Sequence, residues 1–523
     1  SDELDIADGT VTITGGTINI GTTSGGLGSN SVDRFEMDAG TLNLTAGTIN
    51  IMGQNSSASY DALDLAGGVT VNANANNTIN LTDGAGSSDE NMYITLGGNT
   101  VGTLQTSNTS NTVYAEDAIA ATNLTVSDGT LEVQANSTIS GTTDVDGTLS
   151  IGTTTFTASG SSDIDGTFTA STGVYDANSS FDATNGTIDF TGAGTLKLLN
   201  TPTSLGTLDD AAGTVEYDGG TQNVLADAYY NLEIDQSGVK TAQGTVTAAG
   251  TLTVQTNATY AIAATTSTVT GATDLNGTLT ASTGILDANG SFDATNGTID
   301  FTGAGTLRLG GTVTHLGTLD DAAGKVEYDL ATQAVFADTY YDLTISTAGT
   351  KTAGGVITVN NDLVTAATSN CKLDMGANNL VLKGNLNVGA TDGLNLSNAS
   401  CVFTMGGSSA QGITHAGSTG NSSAVSETAE SGLGSFTASG SVSFATTTNY
   451  YKNGSKSFWN DYTSSDYSYL SSTSNIDLSS NSGAELTFWH IAKTEGGYDK
   501  CRVQYSENGG SSWTTFPNSK YEG

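Results

Sequence analysis

Basic side chains are scarce in these 523 residues: 14 Lys+Arg stand against 53 Asp+Glu, a net charge of −39. Phosphate backbones are bound mainly through cationic side chains, so this balance argues against a nucleic-acid partner. Anionic membrane surfaces are disfavoured for the same reason. Proline occurs only at Pro202 and Pro517, which suits uninterrupted strand ladders. The three cysteines, Cys371, Cys401 and Cys501, form no CxxC or Cys/His cluster, so a zinc site is not supported. No apolar run has the length needed to span a bilayer. Aromatics at 7% and hydrophobic residues at 36% are too few for several thick globular cores. Disorder is not implied either, because only 13% of residues are charged and β-branched residues recur throughout. The chain opens at Ser1 with no Met, basic n-region or apolar h-region, and reads as a processed product. Secretion is inferred from composition.

What is abundant is glycine, at 67 positions, between short runs of alternating Thr, Val and Ile. These runs repeat. Thr172 to Leu198 (TGVYDANSSFDATNGTIDFTGAGTLKL) returns as Thr283 to Leu309 (TGILDANGSFDATNGTIDFTGAGTLRL). The register then holds without a gap. Leu205 matches Leu316, Tyr217 matches Tyr328, Tyr229-Tyr230 matches Tyr340-Tyr341, and Lys240 matches Lys351. The duplicated blocks span 155–247 and 266–358. Shorter periods lie inside and before them: Asp144-Val145-Asp146-Gly147-Thr148-Leu149 recurs from Asp163 to Phe168. Near the N-terminus, Thr10 to Ile20 recurs from Thr41 to Ile51.

The unit is a Gly-containing turn followed by Thr-Φ-x-Φ, whose alternation places both apolar Φ side chains on one strand face. Stacked coils of roughly 18–30 residues would bury a narrow apolar column. The expected fold is all-β: a right-handed parallel β-helix (β-solenoid), then a β-sandwich, jelly-roll-like module. Its segments are N-terminal coils over 1–135, repeat-containing coils over 136–421, a linker over 422–434 and the module over 435–523. A string of immunoglobulin-like sandwiches is the competing arrangement, since the long repeat has the length of one such domain. The shorter periods have no meaning in a Greek key. All three tryptophans, Trp459, Trp489 and Trp513, fall in the last segment, and the polypeptide is expected to continue beyond Gly523.

Several groups of residues invite a chemical reading. Asp144, Asp146, Asp163 and Asp165 place carboxylates at alternating positions before Gly, as calcium loops do; the competing reading is a turn in which Asp caps its own backbone. Calcium is thus the one cofactor the sequence raises. Glycosidic hydrolysis needs paired carboxylates across a cleft. The pairs Asp209-Asp210 and Asp320-Asp321 occur in identical settings and read as repeated corners. His315, His415 and His490 are isolated. Cys371 and Cys401 are placed near one coil apart, as a stacked pair of thiols or a disulfide. Tyr450, Tyr451, Trp459, Tyr462, Tyr467 and Tyr469 could stack on sugars or fill a sandwich core.

Tyr229-Tyr230-Asn231-Leu232-Glu233-Ile234 with Lys240-Thr241, and Tyr340-Tyr341-Asp342-Leu343-Thr344-Ile345 with Lys351-Thr352, resemble repeats of large secreted surface proteins of gliding Bacteroidetes, often exported by the type IX route. Ser506, Asn508, Gly510 and Trp513 lie in a segment similar to an Asp-box hairpin, with Asn508 where Asp is usual. The resemblance covers about residues 140–523. It implies a non-catalytic extracellular adhesin or stalk at the cell surface, with partners among surface polysaccharides and the outer-membrane secretion or motility machinery. The alternatives are a polysaccharide-active β-helix enzyme and a self-associating sheath or surface-layer subunit.

Overall fold

The computed structural model describes residues 3–21, 34–52, 61–82, 91–389, 392–415, 429–451, 454–460, 467–476 and 502–516. It divides into two units, Ser1–Gly417 and Ser418–Gly523. Among the described residues every regular element is a strand, and no helix is long and apolar enough to cross a membrane.

In the first unit all strand pairings are parallel, each strand bonding to its counterpart one coil later. Leu4 pairs with Phe35 and Thr10 with Thr41, the N-terminal period of the sequence. Asp144 pairs with Asp163, the shorter period that follows. Antiparallel Greek-key modules are thereby ruled out for this unit: it is a parallel β-solenoid. Alternation does the sorting. In Thr167–Ala170 and Thr195–Leu198 every second side chain is buried, so Phe168, Ile188, Leu196 and their successors form one continuous apolar column. Outward positions form polar rows. Thr112, Thr130, Thr148, Thr167, Thr187 and Thr207 stand in register on six successive rungs. Asn19, Asn50 and Asn80 form an amide ladder, with Asn50 donating to Asn19 at 2.8 Å and Asn80 to Asn50 at 3.1 Å.

Each coil has three faces. From Thr214 onward the first carries Thr214–Tyr217, Asn231–Ile234, Leu252–Val254, Thr273–Leu275, Phe292–Asp293 and Val313–His315. The second runs from Gln222–Val224 to Thr318–Leu319. The third runs from Ala228–Tyr229 through Thr306–Leu309 and Lys325–Tyr328 to Ile413–His415.

The long duplication is not a whole number of these coils. Thr195–Leu198 lies on face one, whereas its counterpart Thr306–Leu309 lies on face three. Near residue 214 face one runs through without interruption, while the neighbouring ladders end at Ser204 and Thr207–Leu208 and new ones begin at Gln222 and Ala228. Near residue 325 the same break recurs with face three uninterrupted. The second copy is therefore set one face round from the first.

A buried polar cluster fills each break. Leu225 N–H donates to Tyr217 Oη (3.1 Å), and Tyr229 Oη donates to Leu225 O (2.9 Å). A carbonyl only accepts, so the Tyr217 hydroxyl supplies the proton between the two phenol oxygens, 2.9 Å apart. The result is a closed hydrogen-bond circuit clamping both polar groups of one peptide. Tyr328, Tyr340 and Phe336 repeat it. Gln222 and Gln333 span rungs, donating to Leu198 O at 2.7 Å and Leu309 O at 2.9 Å. Lys240 and Lys351 are fully buried and donate to carbonyls of the preceding turn, Gln236 O at 2.7 Å and Thr347 O at 2.6 Å. Gly213 and Gly324 enter each break with φ of 76° and 73°, and a Cβ on either would strike the ring of Phe190 or Phe301.

The second unit shows antiparallel pairs: Phe436–Gly440 with Ser468–Ser472, Ala445–Thr447 with Ser457–Trp459, and Gln504–Tyr505 with Thr514–Thr515. Most of the linker, residues 422–428, lies outside the described residues, as do His490, Trp489, Tyr462 and Cys501.

Candidate functional site

The four aspartates come together as rows. Register stacks Asp144, Asp163 and Asp182 on consecutive rungs. Burial holds the Asp144 carboxyl above the usual range, and Asp146, Asp163 and Asp165 push it further; Asp163 is raised by burial, then by Asp165, Asp182 and Asp146. Like charges one rung apart repel, and none of the groups acting on them is basic. Two of the stack's corners are capped within the protein: Asp165 accepts from Asn185 Nδ2 at 3.1 Å, and Asp182 accepts from Thr184 N–H at 3.0 Å. Beside the row an open groove of about 400 Å³ runs along four successive corners, lined by Thr112, Asp128, Thr130, Asp146, Thr148 and Thr167 among others. It is polar, as hard-cation or hydroxyl recognition requires.

Among the described residues one trio of carboxylates has ligand atoms within 4.8 Å of one another: Glu3, Asp5 and Glu36. The sequence reading passed over it. Its signal was the match of Leu4-Asp5-Ile6 with Phe35-Glu36-Met37, which stacks Asp5 on Glu36. Arg34 already occupies this position, 3.1 Å from Glu3 and paired with Glu36.

The remaining candidates resolve into local structure. Asp209 and Asp320 each accept the N–H two residues on, from Ala211 and Ala322, at 2.9 Å. This is the Asp-turn that a repeated corner implies. His315 Nδ1 accepts from Gly317 N–H at 2.8 Å, and its ring lies against Phe336; His415 ends the exposed strand Ile413–His415. Cys371 and Cys401 are free thiols and do not stack. Leu373 stacks on Leu394 and Leu380 on Phe403. Coils here are thus shorter than the Cys371–Cys401 spacing, and Cys401 falls past the place one rung above Cys371. Cys371 Sγ instead meets Ile345 O at 3.3 Å.

In the second unit the Asp-box-like hairpin closes on itself. Asn508 Oδ1 accepts from Ser512 N–H (2.9 Å), Asn508 Nδ2 donates to Ser512 Oγ (2.7 Å), and Gly510 N–H donates to Ser506 Oγ (2.7 Å). Asn508 thus performs the turn-bracing role of the usual Asp. Trp513 is 51% exposed. Tyr450, Tyr451, Tyr467 and Tyr469 are also more than half exposed, so they do not fill a core.

No protein-family model, curated protein or solved structure matches the chain.

Proposed function

We propose that the chain is a non-catalytic stalk segment of an extracellular surface protein, an adhesin or filament, carrying a binding module at its C-terminal end. One observation supports this most directly. Within the solenoid, the paired acidic corners and the buried tyrosine pairs recur at copy-equivalent places and are spent on turns and rung junctions. Asp209 and Asp320 brace their own turns; the tyrosine pairs clamp a peptide. Repetition of rungs sets reach, because each coil contacts its neighbours and needs no unique partner. Strong acidity maintains solubility outside the cell.

The finer features follow as part of this reading: a jelly-roll-like sandwich around the antiparallel pairs, export by a type IX-like route, and calcium in the aspartate row. Immunogold labelling of the source cells with antibody against the chain should decorate the outer surface; gold confined to the cell interior overturns the proposal. Incubation with acidic polysaccharides should release no reducing ends or unsaturated products. Turnover lost on replacing Asp128 or Asp146 would make the groove an active site.

A further inference from the structure

The second unit bears an aromatic shelf whose construction points to a ligand. In the hairpin Ala445–Thr447/Ser457–Trp459, alternation sends Phe458 one way and Trp459 the other. Phe458 meets Phe436 edge-on at 5.7 Å, so that side faces the interior. Trp459 lies on the opposite side, 41% exposed, and stacks on Tyr450, which is 54% exposed. Their ring centroids are 5.2 Å apart and the planes 25° from parallel. Tyr451, the next residue, is 55% exposed. Large rings normally bury most of their area, and here three sit together in the open.

Among the described residues, their immediate sequence neighbours are polar and uncharged; the adjoining Lys452 and Asp461 lie outside the described residues. Asn449, Ser457 and Asn460 flank the pair in sequence. Among the described residues, two ion-forming groups near the pair engage each other: Glu430 accepts from the backbone N–H of Lys456 at 2.9 Å, while Lys456 Nζ donates to Glu430 O at 2.9 Å. Aromatic faces carry partial negative charge and attract polarised C–H groups, while amides and hydroxyls pair with hydroxyls. A sugar ring offers C–H groups on its face and hydroxyls on its rim. The net charge of −39 opposes a polyanion.

We infer that Tyr450 and Trp459 form a binding platform for a neutral polysaccharide, engaging pyranose rings through their exposed faces. This rests on the reading of the second unit as the binding end of a surface protein, and names its ligand class. The test is affinity electrophoresis of the full chain through gels holding a neutral β-glucan, α-glucan or mannan, with alginate as the acidic comparison. The expected result is retardation by at least one neutral polymer and not by alginate, weakened at least tenfold in Trp459→Ala and Tyr450→Ala. Trp459→Phe should retain most of it, since a ring remains. Ser439→Ala, on the other strand pair, should bind as the parent does, and amide exchange of Phe436–Gly440 verifies folding in every variant. Passage unretarded through all neutral gels, retardation only by alginate, or unchanged binding by folded Trp459→Ala overturns the inference. Surface labelling is independent of these outcomes, so a stalk without this sugar site stays distinguishable from a chain that is no surface protein.

Discussion

Replacing Tyr328 by Phe removes one oxygen atom and tests the hydrogen-bond circuit at the second break. Tyr328 Oη accepts the Phe336 N–H at 3.1 Å and sits 2.9 Å from Tyr340 Oη, in a fully buried setting. Without it the Phe336 amide has no acceptor, and a buried donor left unsatisfied costs about 1–3 kcal/mol. Tyr340→Phe should cost less, roughly 0.5–1.5 kcal/mol, because the donor it strands is the Tyr328 hydroxyl, which can rotate towards another acceptor as the Phe336 amide cannot. A solenoid unfolds piecewise, so a global melting temperature would dilute the effect. Hydrogen exchange of the peptide spanning 336–340 reads it locally. At about 1.4 kcal/mol per factor of ten, Tyr328→Phe should speed exchange by roughly 5- to 150-fold. The double variant should cost less than the sum of the two singles, since both act on one network. Tyr217→Phe and Tyr229→Phe should reproduce the ranking at Leu225, which the same circuit clamps. Exchange unchanged in Tyr328→Phe, or faster in Tyr340→Phe than in Tyr328→Phe, would refute the circuit.

Three further outcomes follow from the buried groups. Burial pushes the phenols of Tyr175 and Tyr217 up to about 12, above the ordinary value of about 10. Their contribution to stability is complete below about pH 10 and lost as pH rises towards 12, so phenolate absorbance at pH 11 should fall short of all 19 tyrosines until the chain unfolds. Asp144 and Asp163 are also raised, chiefly by burial; the fold gains from their protonation at low pH and loses that gain as pH rises through their folded values. In calcium-free buffer Asp163→Asn should therefore raise the melting temperature at pH 7 and not at pH 3, and no change in the parent's melting temperature on adding EDTA would end the calcium reading. Lys240 and Lys351 are fully buried, so reductive methylation of the native chain should modify Lys325 and Lys383 and spare both; labelling of Lys240 before unfolding would contradict their placement.

The coil architecture was legible because its cause is local. Thr-Φ-x-Φ between glycines specifies a strand with one apolar side, and a closely spaced recurrence can bury that side only by stacking on its next copy. Thus the register of Asp144 on Asp163 and Thr10 on Thr41 could be written down from the letters alone. Cys371 and Cys401 show where this stops. Their stacking depended on local coil length, which changes along the chain from 31 residues at Asn19 to 19 at Thr142 and 23 at Asn385. The tyrosine circuit was missed for another reason. The matched tyrosines were visible, but Tyr217 and Tyr229 are 12 residues apart, and only the turning of the coil from face one to face three brings their hydroxyls together. In the second unit, exposed and buried aromatics look alike in sequence, so Trp459 and Phe458 could not be told apart without knowing which side of the hairpin faces Phe436.

The mismatch between the duplication and the coil leads to a sharper expectation about the whole solenoid. If a break requires particular neighbours rather than a particular face, removing one sequence repeat should be tolerated although it turns everything beyond it. Deleting 214–324 joins Gly213 to Lys325, and Lys325–Tyr328 then stacks on Thr195–Leu198 instead of Thr306–Leu309. These rungs read TLKL and TLRL, so the apolar contacts survive, as do the acceptors for Gln333, with Leu198 O replacing Leu309 O. Deleting 195–312 instead keeps the chain on face one, removing six of its rungs, but seats Val313 on Val174 in place of Phe292. It leaves the break without the Thr306–Leu309 rung that Lys325–Tyr328 and Gln333 require. The first deletion should keep the β-sheet circular dichroism and a cooperative melt; the second should lose protection around 313–345. Were the second deletion the more stable, face continuity rather than rung identity would govern the fold, and the polar clusters at the breaks would be consequences of the shift instead of what holds it.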